Sequence, residues 1–170
     1  MILGNLDLLV AIVIPVFNGA RYIREAIDSV LNQDYPNIEL IVLDDGSRDG
    51  TRDILKEYKS KFYWESHQNM GQARTLNKGW QMVKGDVLGY LSADDSLLPG
   101  AVGKSIECLL RRKEVVLTYC DYYLINSESQ VLRRVYAREV DYDDMVRKAI
   151  CSPGPGTFFR RTAFEKAGLW

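Results

Sequence analysis

The sequence carries almost no net charge, with 22 lysines and arginines against 23 aspartates and glutamates. A chain so balanced makes no field strong enough to gather nucleic acid or an anionic membrane by itself, so a partner must be recognised locally. Histidine is nearly absent. The single one, His67, excludes a multi-histidine metal cage, and its polar setting, ESHQNMG, does not mark it as a ligand contact. Cysteine is scarce too: Cys108, Cys120 and Cys151 form no C-x-x-C pair and no even disulfide framework, which fits core or surface thiols in a reducing compartment. Long apolar runs are missing. The one over residues 8–17 is too short for about 30 Å of hydrocarbon, and no Lys or Arg precedes Arg21, so the basic start of a signal peptide is lacking. These absences predict a soluble cytosolic domain.

What is present suffices for one core. Apolar residues make up 46% of the 170 positions, enough to fill the interior of a single domain of ordinary size. LLVAIVIPVF is β-branched and continuous, the pattern of a strand covered on both faces, and Pro15 is expected to end it. Ala20, Ile23, Ala26, Ile27, Val30 and Leu31 then recur at helical intervals. IELIVLDD repeats the buried-strand pattern, and SRDGTRDILKEY offers Ser and Asp caps before a helix with Ile54, Leu55 and Tyr58 on one face. KFYWES, a helix over residues 71–83, DVLGYLSADD, a helix after Pro99 and VVLTYC continue the alternation.

Such alternation predicts an α/β fold: a three-layer α/β/α sandwich with a mainly parallel, Rossmann-like sheet. Beyond Tyr119 the rhythm changes. DYYLIN and QVLRRVYAR, joined by SESQ, read as a small appended antiparallel section, followed by a Pro/Gly loop in CSPGPGTFFRR and a short helix in TAFEKAGLW that ends at Gly168. Residues 1–170 are expected to pack as one body, with 9–118 as its nucleotide-binding half and 119–170 as the start of an acceptor-side half.

In an open parallel sheet, ligands sit outside the carboxyl ends of the strands. PVFN, DDGSRDGT and SADDS all fall there, which would crowd Asp44, Asp45, Asp94 and Asp95 along one rim with no evident basic cluster to offset them. Carboxylates so placed raise one another's pKa unless a cation or water relieves them. Each motif also has an ordinary structural use, as a turn or a helix cap. Their recurrence at equivalent sheet ends favours a divalent cation, Mn²⁺ or Mg²⁺, whose shell is commonly completed by water and substrate phosphates.

The ordered set VIPVFN, LDDGSRDGT, QNMGQARTLNKG, GDVLGYLSADD and FFRRTAFEKAG resembles the family 2 nucleotide-sugar glycosyltransferases of GT-A fold, over nearly the whole chain. The resemblance implies that Pro15, Val16 and Phe17 line the nucleoside and that Asp45 binds the base. It implies that Asp94 faces the ribose or metal, while Asp95 faces the metal and the diphosphate, as a D-x-D-type motif. The implied activity is inverting transfer of a sugar from a nucleoside-diphosphate donor, UDP-sugars being favoured, to the hydroxyl of a saccharide or lipid-linked saccharide. Bacterial cell-surface polysaccharide synthesis at the inner face of the cell membrane is the implied setting, with peripheral membrane contact.

This sequence departs from that pattern in two places. The general base of the family belongs to an acidic segment beyond the position of Trp170. The chain therefore reads as a fragment that binds donor and turns over poorly. Leu76 occupies a position that is basic in many members, which leaves Arg74 or Lys78 as a substitute, with Lys78 read as an exposed helix charge. Gly71 is expected to open its helix with amides towards the crevice. Tyr119, Tyr122 and Tyr123 are read as packing, and Asp121 as a base substitute supported only by its charge. Arg160 and Arg161 are read either as part of an acceptor wall near a phosphate or as solvated. Three rivals stay open: a noncatalytic sugar-nucleotide binding module, a nucleotidylyltransferase, which PVFNGARY with its one glycine fits poorly, and a phosphate-handling receiver domain, for which VVLTYC supplies no lysine.

Overall fold

Residues 8–139, 141–148, 154 and 156–170 are described by a computed structural model of the chain. The first half alternates as β1 (Val10–Val16), α1 (Ile23–Leu31), β2 (Ile38–Asp44), α2 (Thr51–Glu57), β3 (Tyr63–Ser66), α3 (Gln72–Met82), β4 (Val87–Tyr90) and α4 (Ala101–Arg111). The second half holds β5 (Leu117–Thr118), β6 (Tyr122–Ile125), β7 (Val131–Val135), α5 (Tyr142–Lys148), β8 (Phe158–Arg160) and α6 (Arg161–Ala167). Cys151 and most of the Pro/Gly loop expected around it lie outside the described residues.

Side-chain alternation along the strands creates the layers. On β1, Val10, Ile12, Ile14 and Val16 join Leu40 and Val42 of β2 in a core against Ile23 and Ile27 of α1, Leu55 of α2 and Ile106 of α4. The intervening residues, Ala11 and Val13, with Ile41, Leu43 and Leu88, pack the opposite way onto Leu76 and Trp80 of α3. Both faces of the central strands are buried, which is why their sequence is continuously apolar. The contact with α3 is unusually close. A Cβ added at Gly79 would lie 2.5 Å from Val13 Cγ1, so only glycine lets the helix backbone approach the strand.

The six-stranded sheet has the order β3-β2-β1-β4-β8-β5. β3, β2, β1 and β4 are mutually parallel, whereas β8 is antiparallel to both β4 and β5. Together with the separate β6–β7 hairpin, this is the predicted architecture, a mainly parallel sheet between helical layers with a small antiparallel section. No helix among the described residues is long and apolar enough to cross a membrane.

Three local expectations are corrected. Pro15 does not end β1: it pairs with Leu43 inside the strand. Leu91 N–H donates to Val13 O, so alternation turns Pro15 towards the β4 side, where the ladder stops at Val13↔Tyr90, and the missing N–H removes no ladder bond. TFFRR, read as loop, supplies β8, whose Phe158 is buried against the first core. VVLTYC forms only a two-residue strand, antiparallel to β8 rather than another parallel crossover. α5 is an addition that the hydrophobic pattern did not predict.

Candidate functional site

The parallel strands direct their carboxyl ends to one rim, where a cleft of about 660 Å³ opens. Pro15, Val16, Phe17 and Asn18 line it from β1 and the loop beyond, Asp45, Asn69 and Gly71 from the middle, and Ser92, Ala93 and Asp94 from the end of β4. Tyr22, just before α1, completes the wall. Among the residues singled out from the sequence, Pro15, Val16, Phe17, Asp45, Gly71 and Asp94 meet at this cleft, while Arg74 and Asp95 do not line it.

The four aspartates do not behave as one repelling cluster. Asp44 is fully buried and holds its own loop together: it accepts the Ser47 N–H at 3.0 Å and the Ser66 hydroxyl at 2.6 Å, with Arg52 Nε at 4.0 Å. Asp45 is buried and reaches across to the start of α3, where it accepts the N–H of Met70 at 2.7 Å and of Gly71 at 3.0 Å. These charge-assisted bonds offset the burial of each carboxylate. They also correct the expectation for Gly71, whose amide is taken by Asp45 rather than free in the crevice; its φ of 88° suits glycine.

Asp94 and Asp95 are different. Asp94 is exposed, and among the described residues no hydrogen bond or ion pair holds its carboxylate. Asp95 is half-buried behind it, and burial, then the charge of Asp94, push its carboxyl above the ordinary aspartate range against an opposing bond from Ser92. Among the described residues, the pair is thus the acidic element at the rim with little local compensation.

His67, which the sequence did not mark as a ligand contact, does not line the cleft but sits beside Asp45. Its Nδ1 lies 3.5 Å from Asp45 Oδ1 and 2.9 Å from Gln68 O, and its buried Nε2 has no protein partner among the described residues. Asn18, Tyr22, Asn69 and Ser92 line the cleft and were not named from the sequence; polar identity alone carries no signal that a residue will face a cleft.

The basic residues resolve into structural and free. Leu76 is fully buried in the α3 core, a position that could not hold a charge cheaply. Lys78, read as an exposed charge, pairs with Glu65 of β3, and Arg74 is exposed on α3 without an ion pair among the described residues. Arg160 donates to the carbonyls of Leu109 and Val115, and Arg161 to those of Val83 at 2.8 Å and Gly85 at 2.6 Å. Both arginines therefore clip carbonyls in the last turn of a helix or just beyond it, the sites where cations are favoured, and neither is left solvated. Asp121 accepts from Arg134 at 2.7 Å and from Ala137 N–H at 2.9 Å, which accounts for its charge.

The sequence profile described as Glycosyl transferase family 2 matches residues 11–168. The chain belongs to that family. An uncharacterized glycosyltransferase of Rickettsia typhi is 44% identical over 126 residues, covering 73% of this chain and 39% of that protein. A Bacillus subtilis glycosyltransferase, TuaG, provisionally named for teichuronic acid biosynthesis, is 31% identical over 150 residues, 84% of this chain and 58% of its own length. In shape, residues 1–349 of S. aureus TarS in complex with UDP-GlcNAc give a TM-score of 0.74 at 17% identity, covering 94% of this chain and 47% of that one. The mannosyltransferase PcManGT of Pyrobaculum calidifontis, solved with GDP-Man and Mn²⁺, gives 0.68 at 20% identity, covering 95% and 47%. At such identities the likeness is one of fold, the GT-A fold. The chain spans 39% to 58% of the length of the two sequence relatives.

Divalent metal is the group this family's chemistry implies, and the residues present fit it. Among the described residues no three His, Cys, Asp or Glu side chains converge as a metal cage. Two adjacent carboxylates, one exposed at the cleft and one held above its ordinary pKa, offer hard oxygen donors and leave most of a coordination shell to water and phosphate. That is the usual arrangement for Mg²⁺ and Mn²⁺.

Proposed function

We propose that this chain is the donor-binding part of an inverting glycosyltransferase that takes a sugar from a nucleoside diphosphate, UDP-sugars being favoured, to an acceptor hydroxyl. The observation that carries the reading is the position of Asp94 at a 660 Å³ cleft on the carboxyl rim, with Asp95 next to it in the chain and its carboxyl pushed above the ordinary aspartate range by burial and by the charge of Asp94. Family membership supports it, as do the UDP-GlcNAc and GDP-Man named in the TarS and PcManGT complexes.

In this reading Pro15, Val16 and Phe17 flank the nucleoside, and Asp45, fixed by the Met70 and Gly71 amides, presents its remaining lone pairs to the base. Arg74, exposed near the start of α3, steers the diphosphate. Asp94 and Asp95 would hold Mn²⁺ or Mg²⁺, which would supply stabilisation of the charge that develops on the leaving diphosphate. The acceptor oxygen attacks the anomeric carbon, the bond to the diphosphate breaks with its electron pair, and the acceptor proton passes to a carboxylate. Asp121 is tied to Arg134 and to the Ala137 amide, so it is not assigned as that base. The acceptor is taken as a saccharide or lipid-linked saccharide of the cell surface, built at the cytoplasmic face of the membrane; the name of TuaG, which refers to teichuronic acid biosynthesis, supports a polysaccharide product.

The test is thermal stability against UDP, GDP and dTDP with and without Mn²⁺. Ligand at about a hundred times Kd stabilises by roughly 2.7 kcal/mol, which for a domain of this size raises Tm by about 5 to 10 °C. The shift is expected to need Mn²⁺ and to vanish in Asp95→Asn. No shift with any of the three diphosphates would overturn the reading.

A further inference from the structure

The stretch SRDGT reads in the sequence as helix caps, and in the structure Asp49 Oδ1 does accept the Thr51 N–H at 3.0 Å where α2 begins, but the stretch also has a second use. α2 starts after Gly50 with no side-chain cap bond from that position. Across the gap, the loop between β1 and α1 presents three consecutive amides, of Asn18, Gly19 and Ala20, that belong to no strand or helix and need partners. Each is taken by a different side chain of the facing loop. Asn18 N–H donates to Ser47 Oγ at 2.8 Å, Gly19 N–H to Thr51 Oγ1 at 3.0 Å and Ala20 N–H to Asp49 Oδ2 at 3.0 Å.

The interlock is reciprocal. Arg48 N–H donates back to Asn18 Oδ1 at 2.8 Å, and the Thr51 hydroxyl donates to Asp49 Oδ1 at 2.5 Å, so Thr51 is donor and acceptor at once. Ser47 and Thr51 are buried, at 2% and 0% exposure, where an unmade bond has no water to replace it. Asn18 is held at φ 53°, a left-handed conformation that needs surrounding bonds to persist. Burial pushes the Asp49 carboxyl up, but the bonds from Thr51 and Ala20 outweigh it and hold the group below its ordinary value.

None of the three side chains lines the cleft, whereas the segment they hold does, through Phe17, Asn18 and Gly19. Phe17 is 51% exposed, so packing contributes little to its direction. We propose that Ser47, Asp49 and Thr51 are positioning residues for the donor: they fix the backbone that carries Phe17 against the nucleoside without touching the ligand. The inference rests on the donor-binding reading above.

Calorimetric titration of the 170-residue chain with UDP, GDP and dTDP in Mn²⁺, well below the melting temperature, tests it. Thr51→Val keeps the shape and removes the hydroxyl, and is expected to weaken the tightest diphosphate about tenfold; Thr51→Ser is expected to restore most of that affinity. Asp49→Asn, at an exposed position, is expected to weaken it in the same direction and covers the case in which the buried variant fails to fold. Folded variants that bind as tightly as the parent, with only Tm lowered, would reduce the interlock to a structural role and overturn the proposal. A Thr51→Ser chain as weak as Thr51→Val would do the same. A parent that binds none of the diphosphates would remove the donor-binding reading itself, and this inference with it.

Discussion

Asn77 and Trp170, 93 residues apart, hold each other by two reciprocal hydrogen bonds of 2.9 Å: the Asn77 carboxamide donates to the Trp170 carbonyl and accepts its N–H. The amide acts as a backbone mimic, and it sets the Trp170 indole edge-on to Trp80 at 5.6 Å and to Tyr90 at 5.8 Å. The end of the described chain is thereby docked on α3 and on the strand that leads to Asp94.

Replacing Asn77 with Leu removes both bonds from a side chain that is 8% exposed and leaves the Trp170 peptide without its partner. The expected cost is about 1 to 3 kcal/mol, read as a lower urea midpoint with the slope unchanged. Near-ultraviolet circular dichroism from the Trp80, Tyr90 and Trp170 rings should also weaken as Trp170 leaves its neighbours, and an unchanged spectrum would contradict the docking.

The raised carboxyl of Asp95 makes a signed prediction for pH. Its folded form binds the proton more tightly than the unfolded chain does, so this group's contribution to stability is whole below the ordinary aspartate range and is lost as pH rises through the raised value. Asp95→Asn cannot ionise. In metal-free buffer it should match the parent near pH 3.5 and become the more stable of the two as pH rises past about 4, while Mn²⁺ should stabilise only the parent. Equal melting curves at all pH values would show that burial and Asp94 do not act on this group.

Arg161 distinguishes a clip from a phosphate contact. Its guanidinium spans the carbonyls of Val83 and Gly85, a two-point geometry that lysine cannot copy. Arg161→Lys should cost about 1 to 2 kcal/mol of stability and leave the affinity for UDP unchanged. A loss of diphosphate affinity at unchanged Tm would return Arg161 to the acceptor wall.

The layered architecture was legible because both faces of β1 and β2 are buried, and a strand must be covered on both sides before an uninterrupted apolar run is stable in it. β8 was not, because Phe158–Arg160 is three residues long and its strand character comes from the neighbours β4 and β5 rather than from its own pattern. Strand-end position brought Asp44, Asp45, Asp94 and Asp95 to one rim, of which Asp45 and Asp94 line the cleft. What could not be read was compensation: the amides that neutralise Asp45 belong to Met70 and Gly71, and side-chain identity does not reveal where backbone N–H groups point. The second use of Ser47, Asp49 and Thr51 was hidden for the same reason, since the amides they accept lie 29 to 32 residues earlier in the chain.

Gly79 tests the packing that sets α3, and with it Gly71 and the Asp45 contacts, against the sheet. An alanine Cβ there would lie 2.5 Å and 2.9 Å from the two methyl groups of Val13 and 3.3 Å from Leu43 Cδ1. Val13 is fully buried in a strand paired on both sides, and β-branched side chains have few rotamers to retreat into. Alanine raises helix propensity by about 1 kcal/mol over glycine, while overpacking costs about 1 to 3 kcal/mol, so packing decides the sign. Gly79→Ala should be destabilised in urea, and the double variant Gly79→Ala with Val13→Ala should recover part of the loss by making room. If the single variant is the more stable protein, the close approach of α3 to β1 is wrong.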